Sequence, residues 1–148
     1  MKINDLEFYL VRIERSDAPP ARSLLACLTT DSGEQAWGEA RLAWKASELA
    51  ARRDALLAVL AGRSVFDIEE LLCLEVSAEP PLRGALEMAS WDLIGRIVNQ
   101  PLCHLFGGSY RQRVPLAVRL PRRLSHGADH LARELAEHGF HSQIVTAT

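Results

Sequence analysis

Leu82-Arg83-Gly84-Ala85-Leu86-Glu87-Met88-Ala89-Ser90-Trp91-Asp92-Leu93-Ile94-Gly95 is the stretch on which the fold turns. Leu82, Ala85, Leu86, Ala89 and Leu93, continued by Ile97 and Val98, recur at helical spacing. They predict the longest helix of the chain, from Leu82 to about Asn99. The stripe is wide, so this helix should be buried on more than one side. Pro80-Pro81 suits the start of a helix and Pro101 stops it. Gly84 and Gly95 should thin it where neighbours approach. Trp91 offers a large core anchor. Asp92, set among apolar residues, needs a hydrogen-bond partner if it is buried.

Upstream, the period is two. Leu6, Phe8 and Leu10 alternate within the strand expected from Leu6 to Ile13. Ser16 to Arg22, with Pro19 and Pro20, reads as a loop. A strand from Ser23 to Thr30, a turn at Asp31-Ser32-Gly33-Glu34 and a strand from Gln35 to Ala40 complete an antiparallel meander. After Trp44 the period becomes helical. Leu49, Leu56, Leu57 and Leu60 share a face, and Gly62 closes that helix. Asp67 and Glu70 have capping-box spacing for a short helix to about Leu74.

Downstream, Leu102 to Phe106 is a further helical turn before Gly107-Gly108. Val114 to Leu120 predicts a strand. Ser125 can cap a helix on which Leu131, Ala132, Leu135 and Ala136 share a face, and Gly139 ends it. Phe140 to Thr146 predicts a last strand. Strand, helix and strand form a βαβ unit with parallel strands. Parallel strands normally sit in a larger sheet covered on both faces. The last forty or so residues therefore read as the opening of something larger, with edges able to pair with another chain.

The chain has 148 residues, a net charge of -2 and 48% hydrophobic residues. Near-neutral charge gives no basic patch for nucleic acid or an anionic membrane. Neither an apolar leader nor a run of membrane-spanning length is present, so the cytoplasm is the expected compartment. Cys27, Cys73 and Cys103 are odd in number and widely spaced. They are expected to be buried free thiols rather than a disulfide framework or a zinc site. His126 and His130 are four apart, with His138 and His141 beyond. Without a Glu beside His126 they read as surface residues rather than a metal motif. There is no nucleophile elbow or phosphate-binding glycine loop.

Three motifs, in order, resemble one family. Trp37-Gly38-Glu39-Ala40 resembles a "GWGEA"-type strand, Leu82 to Gly95 an "A-x-E-x-A-x-W-D-x-x-G" helix, and Asn99 to Gly108 a "G-x-P-L-x-x-L-L-G-G" linker. The chain is thereby similar to the enolase superfamily of mandelate racemase/muconate lactonizing type. The resemblance implies an α+β fold. Residues 1–110 would be the amino-terminal capping domain, a three-stranded antiparallel meander followed by a helical bundle. Residues 111–148 would begin an incomplete TIM-type (β/α) barrel.

The resemblance also implies magnesium-dependent removal of an α-proton from a small carboxylate substrate in a full-length relative. The metal ligands would lie on later barrel strands, so the chain is expected to hold no metal ligand and to be inactive alone. The family's Lys-x-Lys base falls at Ile144 and Thr146, neither of which is basic. No lysine follows Lys45. What remains is specificity. Two capping loops, 16–22 and 41–45, would face substrate through Arg22, Trp44 and Lys45, the cations binding a carboxylate and the indole excluding water. Arg119, near the end of the first barrel strand, is a fourth candidate. The alternatives are an interaction module, self-associating or completed by another chain, and a degenerate remnant without function.

Overall fold

The computed structural model describes residues 1–15, 19–42, 44–74, 79–120 and 127–145. The chain divides into two compact units, Met1–Gly108 and Ser109–Thr148.

In the first unit, β1 (Ile3–Ile13), β2 (Ala21–Thr30) and β3 (Gln35–Ala40) form an antiparallel sheet in the order β1-β2-β3. Leu6 faces Leu28, and Leu24 faces both Leu10 and Ala40. This register turns every even-numbered position from Leu6 to Leu10, Leu24 to Leu28 and Ala36 to Ala40 toward one face. A bulge between Ile3 and Asp5 shifts the phase, so Ile3 turns inward as well. Gly33, at φ 92°, makes the turn between β2 and β3.

Five helices follow the pattern of the sequence. These are α1 (Leu49–Leu60), α2 (Ile68–Leu72), α3 (Pro80–Ile97) and α4 (Leu102–Leu105) in the first unit and α5 (Ala128–Glu137) in the second. Gly62, at φ 79°, ends α1, and its N–H donates to the Ile3 carbonyl at 2.8 Å. α3 packs on β3 and β2 and buries Leu82, Ala85, Leu86, Ala89, Ser90, Leu93 and Ile94. Met88 and Glu87 stay on its exposed side. The small residues Ala85 and Ala89 let the helix approach closely. A Cβ at Gly38 would lie 1.8 Å from the Ala85 carbonyl oxygen, so only glycine fits at that crossing.

In the second unit, β4 (Ala117–Arg119) and β5 (Ser142–Ile144) pair in parallel, with Val118 opposite Gln143. Leu131, Ala132, Leu135 and Ala136 on α5 are half-buried. The α+β architecture is as expected.

Several local expectations need correction. α3 begins at Pro80, two residues early, because both prolines fit its first turn. Asp67 precedes α2 but its side chain makes no cap hydrogen bond. Arg22 lies inside β2 rather than in the loop, opposite Arg12. The parallel strands have three residues each, shorter than the alternation suggested. Gly95 is crowded by Gln100 and Leu102, whereas Gly84 has open space around it. Cys27 is buried, but Cys73 and Cys103 are exposed, since each sits at a helix end facing water. Ser125, His126 and Thr146 lie outside the described residues.

Candidate functional site

Chain direction brings the two expected loops to one end of the sheet. Ile13 pairs with Ala21 across the β1–β2 connection, and Leu24 pairs with Ala40 where β3 ends. Continuing the β2–β3 register places Arg22 beside Leu42. Arg22, Trp44 and Lys45 thus all lie on segments leaving this end. Residues 16–18 and 43 of the two loops are outside the described set.

Trp44 is the fixed point of that end. The residue is only 8% exposed, and its ring meets Phe8 edge-on at 5.4 Å. The Arg52 guanidinium lies over the indole at 4.4 Å from the ring centroid. The indole N–H donates to Glu79 Oε2 at 3.1 Å, and Arg52 Nη1 donates to Glu79 Oε1 at 2.6 Å. One carboxylate therefore joins the segment after β3, α1 and the residue before α3. The water-excluding role expected of Trp44 has little free surface to act through. Most of its ring serves to hold the segment.

Lys45 follows directly and is exposed. Its backbone N–H donates to Glu48 Oε2 at 3.3 Å, which fixes the start of the 3-10 turn Ala46–Glu48. Arg22 is exposed as well, and the Arg12 opposite it pairs with Glu14 at 2.5 Å. Neither Arg22 nor Lys45 forms an ion pair with another described residue. Two cations are left available to an anion at this end of the sheet.

In the second unit, Arg119 sits at the end of β4 with its side chain exposed and Ile144 opposite it on β5. Ile144 is itself exposed and presents a hydrocarbon, which cannot act as a base. His130, His138 and His141 are exposed. Among the described residues, no three His, Cys, Asp or Glu side chains group so as to hold a metal ion. The described residues therefore do not fit a magnesium site. No helix among them is long and apolar enough to cross a membrane.

Sequence reasoning misses the roles of Glu79 and Arg52, and marks Gly38 only as part of a motif, not as the crossing with Ala85. Glu79 acts across 35 residues of sequence from Trp44, and nothing local marks that pairing. Asp92 has the partners that its apolar surroundings call for. Its Oδ2 accepts from the Trp37 backbone N–H at 3.4 Å, and Arg96 pairs with Oδ1 at 3.0 Å, raising the Arg96 pKa.

No family model matches the chain. A D-galactonate dehydratase family member of Streptomyces bingchenggensis is 30% identical over 71% of this chain and 28% of its own length. An N-succinyl-L-Arg/Lys racemase of Bacillus cereus is 25% identical over 78% of this chain and 36% of its own. The crystal structure of a dipeptide epimerase from Enterococcus faecalis, complexed with Mg and the dipeptide L-Leu-L-Tyr, superposes with a TM-score of 0.83. It is 22% identical and covers 100% of this chain and 46% of the epimerase. The chain thus spans about a third of the curated relatives it matches and less than half of the solved structure.

Proposed function

We propose, for a chain with the fold of the amino-terminal part of enolase-superfamily enzymes of the mandelate racemase/muconate lactonizing type, that it is the capping and specificity part of such an enzyme. The observation that carries this reading is the extent of the likeness. It runs over the whole chain, through the meander, the helices and the first parallel strand pair, in one order. In this reading residues 1–110 form the cap and 111–148 the start of the barrel.

Arg22 and Lys45 would then meet the carboxylate of a small substrate, for which an exposed guanidinium and ammonium supply charge-assisted hydrogen bonds. Trp44, held by Phe8, Arg52 and Glu79, would set where Lys45 stands. Arg119, within the second unit, would be a separate exposed cation at the end of its strand. Magnesium-dependent proton abstraction would belong to strands that this chain does not contain, and the chain alone would be inactive. Ile144 opposite Arg119 supports that division, since an alkyl side chain cannot take a proton.

A second reading draws on a specific observation. Val114 and Leu116 are each 69% exposed and Val145 is 73% exposed, all beside a two-stranded parallel sheet. An uncovered parallel pair of this kind suits completion by another chain.

The test is α-proton exchange in deuterated water, with magnesium and N-succinyl-lysine, a dipeptide or a sugar acid. The chain alone should exchange no faster than the protein-free control. Magnesium-dependent exchange above that control would contradict the division of labour.

A further inference from the structure

The free edge of β1 carries a feature independent of the capping reading. The two edges of the sheet differ. β3 is six residues long, and Asp92 from α3 takes up its Trp37 backbone N–H. β1 is eleven residues long and lies at the other edge. Its outer side is bonded only near its start, where Ile3 pairs with Gly62 and Arg63. From Glu7 to Ile13 no further backbone partner is present among the described residues. Of the devices that usually blunt an edge, the run has the charges of Glu7 and Arg12, and Arg53 of α1 reaches Asp5 beside it, but others are missing. The run holds no Pro or Lys, and the bulge lies at Ile3/Asp5, away from it.

The order of side chains along this edge is self-complementary. Glu7, Tyr9, Val11 and Ile13 alternate onto the sheet face away from the core. Arg15 lies two residues beyond the end of β1, and extending the strand by those two residues would bring it into the same phase. Tyr9 lies against Trp37 at 5.6 Å, and both remain over 40% exposed, as does Ile13. Antiparallel pairing with an identical strand about a two-fold axis at Val11 sets Tyr9 against Ile13 and Glu7 against Arg15. Symmetry makes each pair occur twice. Apolar pairs then occupy the centre and opposite charges the ends, both of which stabilise cross-strand neighbours. An axis at Arg12 would bring two guanidiniums together. An axis at Leu10 would set Glu7 against Ile13. Only the Val11 register among these matches every pair on the face away from the core; on the other face it sets Leu10 against Arg12 and Phe8 against Glu14.

We propose that the chain associates with a second copy through antiparallel pairing of β1 with β1 about Val11, making one six-stranded sheet. Light scattering behind size exclusion, from micromolar to several hundred micromolar chain, should approach twice the 16.4 kDa chain mass. Arg15→Glu sets two like-charged pairs in place of two opposite ones and should weaken association by about tenfold or more. The double variant Glu7→Arg/Arg15→Glu should restore it. Circular dichroism on each variant confirms that the fold is kept. With Cys73→Ser and Cys103→Ser in the background, Val11→Cys should form an interchain disulfide, because facing Cα atoms lie about 5 Å apart. Tyr9→Cys should not, since its copies lie about 13 Å apart along the strands. A monomer at all concentrations would overturn the proposal. So would a dimer indifferent to Arg15→Glu, or crosslinking at Tyr9→Cys without crosslinking at Val11→Cys.

Discussion

The two units bury their apolar residues to very different degrees. In Met1–Gly108, Leu6, Leu24, Leu28, Leu56, Leu86 and Leu93 are fully enclosed. In Ser109–Thr148, Leu120 at 8% exposure is the only buried residue among those described. Both regions carry well-formed apolar patterns. The stripe on α5 is more one-sided than that on α3, yet its residues are only half-buried. An amphipathic pattern records which face is made for packing, while the elements supplied opposite decide how much is buried. The first unit closes a core with its own sheet and helices. Among the described residues the second offers one helix and three-residue strands, too little to enclose either face.

The largest effect that tests this contrast is a core truncation. Leu93→Ala, at the contact of α3 with the sheet, should destabilise the first unit by about 3.5 kcal/mol in urea unfolding. Leu135→Ala on α5 should cost about 1 kcal/mol or less, because that site is already partly wet. Equal losses would break the comparison. Gly38→Ala should cost about 3 kcal/mol, since its Cβ would strike the Ala85 carbonyl and force β3 and α3 apart. A neutral result would show that the crossing is less tight than the geometry states.

Thiol chemistry gives a third test. Cys27 is buried on the outer face of the sheet, and burial first, then the charge of Glu7, raises its pKa above the ordinary thiol range. Cys73 and Cys103 are exposed. Iodoacetamide at pH 8 should label those two about a hundredfold faster than Cys27, as counted by mass spectrometry. The sign of the linked stability follows from the raised pKa. The protonated thiol is favoured in the folded state, so its contribution is complete below the unfolded pKa and declines as pH rises through the folded one. Alkaline solution, not acid, should therefore open Cys27 to labelling.

The smallest effect concerns the carboxylate that ties Trp44 to Arg52. Glu79→Gln keeps a hydrogen-bonding side chain but loses the charge, and should cost about 1 kcal/mol because the pair is partly exposed. Tryptophan emission should shift to the red as the Trp44 segment loosens. An unchanged spectrum and unchanged stability would mean that Phe8 alone holds the indole.

Most of the fold was legible because it follows local periods. Alternation in β1 and β2, the α3 stripe and the glycines at 33, 62 and 139 act within a few residues. Contacts across long sequence separations were not legible. The Gly38–Ala85 crossing and the Glu79–Trp44 bond are set by which elements meet, not by composition nearby. Burial of cysteines was judged from apolar neighbours in sequence, which fails at helix ends such as Cys73 and Cys103. At the candidate site the cations Arg22, Lys45 and Arg119 were visible by residue type. Their lack of ion-pair partners among the described residues, and the anchoring beneath Lys45, appeared only in three dimensions.

The central claim is that this chain caps a barrel whose catalytic strands lie outside it. Its most direct test is recovery of the protein from its native cells with an antibody raised to residues 1–108, followed by mass spectrometry. The account predicts that these residues come either in a polypeptide about two to three times as long or in a stable complex with a second chain that supplies further parallel barrel strands. Recovery of only a free 16.4 kDa chain, with no barrel-bearing partner, would contradict it.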